Sequence, residues 1–165
     1  MSAESKLDLI TQASREAMDH WIAKYPADWK QGALMACLEI AQEQNGGWLS
    51  EELVEAVAEY LGLEPIKAFE VATFYTMYDL QPVGRHKISL CTNISCMLCG
   101  SGGIAEHFKS RLGIDFGETT ADGRFTLKEV ECLGACSGAP MCLIDHDYYE
   151  NLTPDRVDSI LDSLD

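Results

Sequence analysis

The sequence predicts an α/β protein in two parts: a bundle of short helices over residues 1–81, then a layer of strands and helices over residues 82–165. Three observations predict it. Apolar residues recur at helical spacing as far as Tyr78. They alternate at strand spacing from His86. Six of the seven cysteines lie after Gln81. The 165 residues are 47% hydrophobic and 24% charged, enough for one ordinary domain or two small ones with a buried core.

The helices follow in order. Ser14 to Tyr25 places Met18, Trp21, Ile22 and Tyr25 on one face, and Pro26 stops it. Lys30 to Gln44 places Leu34, Cys37, Leu38 and Ala41 together, and Asn45-Gly46-Gly47 ends it. Ser50 is an N-cap, and Glu51 and Glu52 favour the positive end of the next helix. That helix carries Leu53, Val54, Val57, Tyr60 and Leu61 and stops at Gly62. Pro65 suits the first turn of a fourth helix running from Ile66 to Tyr78. Cys37, on an apolar face, reads as a core thiol. Phe69, Phe74, Tyr75 and Tyr78 read either as packing between the two parts or as a surface for a partner protein.

After Gln81-Pro82-Val83-Gly84 the period changes. His86 to Thr92 alternates with Ile88 and Leu90 on one face, a strand. A loop with Cys96 and Cys99 follows, then a helix from Gly103 to Leu112 closed by Gly113. Arg124 to Val130 is a second strand and Cys132 to Pro140 a glycine-containing loop. Met141 to Ile144 is short and apolar, Asp145-His146-Asp147 a turn, and Tyr148 to Glu150 a returning strand. Thr153 caps a last helix opened by Pro154, with Val157, Ile160, Leu161 and Leu164 on its buried face.

Charge narrows the function classes. Lys plus Arg number 12 and Asp plus Glu 27, a net charge of −15, which argues against nucleic acid and anionic membrane surfaces. No apolar run approaches the ~18 residues of a membrane-spanning helix, so no direct membrane insertion is expected. The start, MSAESKLDLI, has neither a basic nor an apolar signal region, which predicts no secretory signal. An odd count of seven cysteines then fits a reducing compartment, where thiols serve metals or catalysis.

Two cysteine pairs dominate, Cys91-x4-Cys96 and Cys132-x3-Cys136, each where a strand runs into a loop. Four thiolates converging on one end of a sheet select zinc or an iron–sulfur cluster. Zinc knuckles use tighter C-x2-C pairs, whereas wider loops turn backbone N–H groups toward inorganic sulfide. Gly134 and Gly138 permit close backbone approach. Spacing therefore favours a [2Fe–2S] cluster over zinc or free thiols. Cys91, Cys96 and Cys99 also spell C-x4-C-x2-C, the plant-type ferredoxin opening, with Cys132 as fourth ligand and Cys136 spare. The preceding helices and the strand–helix unit disfavour that ligand set, leaving Cys99 and Cys142 as extra thiols near the site. Cys96-Met97-Leu98-Cys99 alternatively offers the C-x-x-C of a thiol–disulfide oxidoreductase. Gly100-Ser101-Gly102-Gly103 superficially suggests phosphate binding, but the cysteines before it make a cluster-enclosing loop the better reading. A carboxylate of Glu131 near the cluster would lower its potential; an exposed side chain pointing away is the alternative.

From about Ser14 to the C-terminus the chain resembles the small thioredoxin-like [2Fe–2S] subunit of the NADH dehydrogenase module of respiratory complex I. The segments that carry this are GGWLSEELVEAVAEYLGL, VATFYTMYDLQPVGRH, CTNISCMLCGS, GETTADGRFTL and, most specifically, VECLGACSGAPM. The resemblance implies an N-terminal helical bundle followed by a thioredoxin-like domain. It implies one [2Fe–2S] cluster on Cys91, Cys96, Cys132 and Cys136. It further implies a flavin- and NADH-binding partner subunit within the peripheral arm, with FMN and NADH on that partner and the cluster beside the main electron path. The location implied is the cytoplasmic face of the cell membrane through the complex, or the mitochondrial matrix side in a eukaryote. Related small subunits serve NAD-linked hydrogenases and formate dehydrogenases. No G-x-G-x-x-G loop marks a nucleotide site on this chain, so it is expected to be an electron carrier without catalysis of its own.

Overall fold

The computed structural model describes residues 5–164. The first four residues of the N-terminal stretch, and Asp165, lie outside the described residues. Contacts divide the chain into two compact units that meet in sequence between Pro82 and Val83.

The first unit is helical: α1 (Gln12–Ile22), α2 (Leu34–Gln44), α3 (Glu51–Leu61) and α4 (Pro65–Phe74). Thr11 and Ser50 cap α1 and α3 by accepting from Ser14 N–H and Leu53 N–H. Met18, Leu38, Val54 and Val57 fill the core, and Cys37 is buried among them. α1 is shorter than its apolar spacing predicts. Its buried face is narrow, Ser14 and Met18, so Trp21 and Tyr25 stay partly exposed. Lys24 Nζ sits 3.3 Å over the Trp21 ring, and the Tyr25 ring lies against Gly32. A 3-10 turn, Lys30–Ala33, precedes α2.

Apolar spacing predicts a fourth helix reaching Tyr78, but α4 ends at Phe74. The chain beyond it is bound instead to α2: the Gln42 side chain donates to Met77 O and accepts from Asp79 N–H, and Tyr78 OH donates to Met35 O at 2.8 Å. The aromatic run therefore splits. Phe69 and Tyr78 belong to the core of the bundle, while Phe74 and Tyr75 are exposed with their rings edge to face at 5.0 Å.

The second unit is a four-stranded sheet with helices: β1 (His86–Cys91), α5 (Ile94–Leu98), α6 (Ser101–Leu112), β2 (Phe125–Val130), β3 (Cys142–Ile144), β4 (Asp147–Tyr149) and α7 (Pro154–Ser163). The strand order is β2-β1-β3-β4. β1 runs parallel to β2 with Cys91 opposite Val130, and antiparallel to β3 with Leu90 opposite Cys142. Ile88, Ser89, Leu90 and Cys91 are all buried, so this central strand is covered on both faces rather than on one. Phe108 of α6 and Val157 of α7 complete its core with Leu127 and Ile144. Among the described residues no helix is long and apolar enough to cross a membrane.

Candidate functional site

The parallel pairing of β1 and β2 decides where the cysteines go. Both strands release the chain at the same end of the sheet, and Thr92 N–H donates to Val130 O at 3.0 Å just beyond the last paired residues. Cys91 closes β1 and Cys132 follows β2 by two residues. Carboxyl ends of parallel strands are the usual place for a ligand in such sheets.

The segment after Cys91 reads as a loop in the sequence and is the helical turn α5 in the structure. Asn93 starts it by accepting from Ile94 N–H, and its amide donates to the Glu131 carboxylate at 3.0 Å, joining the two cysteine segments. α5 turns Cys96 into the interior against Cys91 and Met141. Cys91 Sγ donates to Glu131 O at 2.9 Å, and Met141 N–H donates to the Cys96 sulfur. Burial, aided by the hydrogen bond with Cys91 and by Cys136 nearby, pushes the Cys96 thiol up to about 11.

The second loop is more open. Cys132 and Cys136 are exposed. Gly134 takes φ +79°, a conformation L side chains avoid, and its N–H points at Cys132 Sγ across 3.4 Å. Tyr148 OH holds the loop from β4 by donating to Leu133 O at 2.9 Å. Gly138 does not line space for sulfide, as its place in the loop suggested. A Cβ there would meet the Glu150 side chain at 2.4 Å. The structure thus packs Cys91 and Cys96 together in the interior, with Cys136 near enough to Cys96 to act on it electrostatically, and leaves both Cys132 and Cys136 at the surface. Among the described residues no three His, Cys, Asp or Glu side chains already stand at metal-binding geometry.

The remaining thiols separate by environment. Cys142 is buried in β3, and Cys37 in α2; burial pushes each up to about 12. Cys99 is exposed at the end of α5. Cys96 lies inside α5 with Cys99 at its C-terminal end, the reverse of a redox-active C-x-x-C at a helix N-terminus. Gly100 to Gly103 is not an enclosing loop: Gly100 precedes α6, whose first turn begins at buried Ser101. Sequence reasoning missed Asn93, Tyr148 and the Met141 N–H. Only Asn93 had a signal, an N-cap residue two positions after a strand end. A cavity of about 370 Å³ lies elsewhere, among Arg111, Thr120, Asp122, Arg124 and Asp162. Its arginines serve structure: Arg111 pairs with Asp158 and Asp162, and Arg124 donates to carbonyls ending α7.

Residues 18–165 match the family model of the thioredoxin-like [2Fe–2S] ferredoxins. The chain belongs to the thioredoxin-like [2Fe–2S] ferredoxin family. The residues present fit the group that family is named for: four thiols, soft ligands, on the two segments where β1 and β2 end, with backbone N–H groups directed at sulfur. The chain is 48% identical over 143 residues to a protein of Rickettsia bellii named as a subunit of NADH-quinone oxidoreductase, covering 87% of this chain and 86% of that protein. It is 47% identical over 155 residues to the mitochondrial NADH dehydrogenase [ubiquinone] flavoprotein 2 of Dictyostelium discoideum. That match covers 94% of this chain and 63% of the relative's length. In fold, it resembles a chain in the crystal structure of an NAD+-reducing [NiFe]-hydrogenase in the air-oxidized state, with TM-score 0.67 and 23% identity. There 78% of this chain overlies 22% of the other.

Proposed function

We propose that the protein is an electron-carrier subunit of NADH:quinone oxidoreductase, complex I, with Cys91, Cys96, Cys132 and Cys136 holding one [2Fe–2S] cluster. The observation that carries this reading is the β1–β2 register, which brings both cysteine pairs to one end of the sheet. The bound cluster supplies a one-electron change shared over two irons. The chain's residues set its conditions. Cys96 and Met141 exclude water from the inner side. N–H groups of Gly134 and Met141 donate to ligand sulfurs, which stabilises added electron density. The Glu131 carboxylate, held by Asn93 beside Cys132, opposes it.

FMN and NADH belong to the partner subunit in this reading, and the chain docks on that flavin- and NADH-binding subunit in the peripheral arm. It therefore works at the cytoplasmic face of the cell membrane, or on the matrix side in a eukaryote. It reaches the membrane through the complex and contacts no nucleic acid. The relatives named as parts of NADH dehydrogenases support this host over a hydrogenase or formate dehydrogenase.

Anaerobic purification tests the cofactor. Iron and sulfide should each be about two per chain, and dithionite should give a spin-half EPR signal. A colourless protein with one zinc overturns the assignment. Native co-purification tests the host: complex I subunits should accompany the chain, and a hydrogenase or formate dehydrogenase would reassign it. The isolated chain should not reduce ferricyanide with NADH.

A further inference from the structure

One peptide group of the second cysteine loop is held from both sides. Leu133 O accepts from Tyr148 OH at 2.9 Å, and Gly134 N–H points at Cys132 Sγ across 3.4 Å. That carbonyl and that N–H belong to the same peptide group. In a trans peptide the two point in opposite directions, so fixing one aims the other. The flanking residues suit this pose. The Leu133 side chain packs toward Cys91, Cys96 and Met141, and Gly134 at φ +79° turns the chain onward.

The sheet carries Tyr148 to this place. Tyr148 stands opposite Leu143 in the β3–β4 pairing, and Leu143 stands opposite Ser89 of β1. The chain after β4 also ties the far end of the loop. Asn151 N–H donates to Gly138 O at 2.7 Å, and Leu152 N–H donates to Pro140 O at 2.9 Å. Those two bonds run from backbone to backbone and survive a change of side chain. The bond at Leu133 comes from a side chain that is 56% exposed, so it depends on residue 148 being a tyrosine.

We propose that Tyr148 is a positioning residue for the bound cluster: it fixes the Leu133–Gly134 peptide, keeps the Gly134 N–H on the Cys132 sulfur, and so raises the reduction potential. The inference rests on the reading of Cys132 as a ligand of a [2Fe–2S] cluster. An N–H donated to a ligand sulfur stabilises the added electron, and its loss favours the oxidised form. The hydroxyl acts on that N–H in two ways. It aims the peptide, and by drawing electron density onto Leu133 O it makes the Gly134 N–H a stronger donor.

The test uses the full-length chain carrying its cluster, poised anaerobically with redox mediators and read by EPR. Tyr148→Phe should keep about two irons per chain. At a fixed potential its reduced-to-oxidised ratio should fall about three- to tenfold, or about 30–60 mV at 59 mV per tenfold for one electron. The coupling of an exchangeable proton to the reduced cluster, read by electron–nuclear double resonance, should weaken with it. Tyr149→Phe, at a ring that packs on the core of the sheet, should leave both readings at parent values. An unchanged potential in iron-replete Tyr148→Phe overturns the inference and leaves the cluster reading standing. A lowered potential with the proton coupling intact does the same, because the hydroxyl then acts directly rather than through the peptide. So does an equal fall in Tyr149→Phe. Should Tyr148→Phe lose iron, 4-aminophenylalanine at position 148 decides the question, since it keeps both a ring and a donor. Recovery of iron and potential supports the donor role, and failure to recover overturns it. A parent chain that holds no [2Fe–2S] cluster overturns the cluster reading and this inference with it.

Discussion

Replacing Gly138 with alanine should loosen the second cysteine loop without disturbing the helical unit. A Cβ there would stand 2.4 Å from Glu150 Cδ and 2.6 Å from its Cγ and Cβ. Cδ and Cγ can rotate aside, but Cβ is fixed to the backbone. The backbone must therefore move, and it is tied at this point: Asn151 N–H donates to Gly138 O at 2.7 Å, and Gly138 N–H donates to Ala135 O at 3.0 Å. Overpacking of this kind costs about 1–3 kcal/mol, and one loosened hydrogen bond about 1 kcal/mol more. For a unit of this size, about 2–4 kcal/mol lowers Tm by roughly 10–30 °C. Two signals separate the units. Trp21, Trp29 and Trp48 all precede Pro82, so tryptophan fluorescence follows the helical unit. Visible absorption of the bound cluster follows the other. Gly138→Ala should shift the visible transition and leave the fluorescence transition in place. Adding Glu150→Ala removes Cγ and Cδ and should restore little; adding Glu150→Gly removes Cβ too and should restore more, measured against each Glu150 variant alone. An unmoved visible transition in Gly138→Ala, or equal rescue by both second changes, would refute the steric argument.

Cys136→Ala should lose the cluster during anaerobic purification and Cys99→Ala should keep it; the opposite pair of results by iron analysis would favour the plant-type ligand set. Tyr78→Phe removes the hydroxyl that reaches Met35 O and should cost about 1 kcal/mol in the tryptophan-monitored transition. Burial holds Cys37 and Tyr78 at about 12, above ordinary values of 9.0 and 10.0, so the folded helical unit keeps protons that the unfolded chain releases. Its stability is then full below about pH 9 and falls as pH rises toward 12. Urea midpoints by tryptophan fluorescence should decline over that range, with a shallower slope in Tyr78→Phe, and a rising midpoint would contradict the burial argument.

What was legible in the sequence was local. Ser50 and Thr153 cap the helices that follow them, as their positions predict, because an N-cap bond closes within three residues. Both strands flanking the site were legible from alternation, and so was the change of period after Gln81. What escaped depended on distant partners. The stop of α4 at Phe74 comes from Gln42 and Met35, more than thirty positions earlier in sequence. The partial exposure of Trp21 comes from how little of α1 the bundle covers, which periodicity within α1 cannot show.

The site divides along the same line. That two cysteine pairs follow two strands was visible in the residues, and the parallel register explains how segments about forty residues apart meet. The inward turn of Cys96 was not visible, because a five-residue helix has too few positions to declare a period. Its consequence follows directly: once Cys96 faces in, Ile94, Met97 and Leu98 must face out. A loop could have folded those apolar side chains back under itself. A helical turn capped by Asn93 and tied to Glu131 cannot, so the same local geometry that buries the ligand thiol also presents an uncharged apolar surface above it.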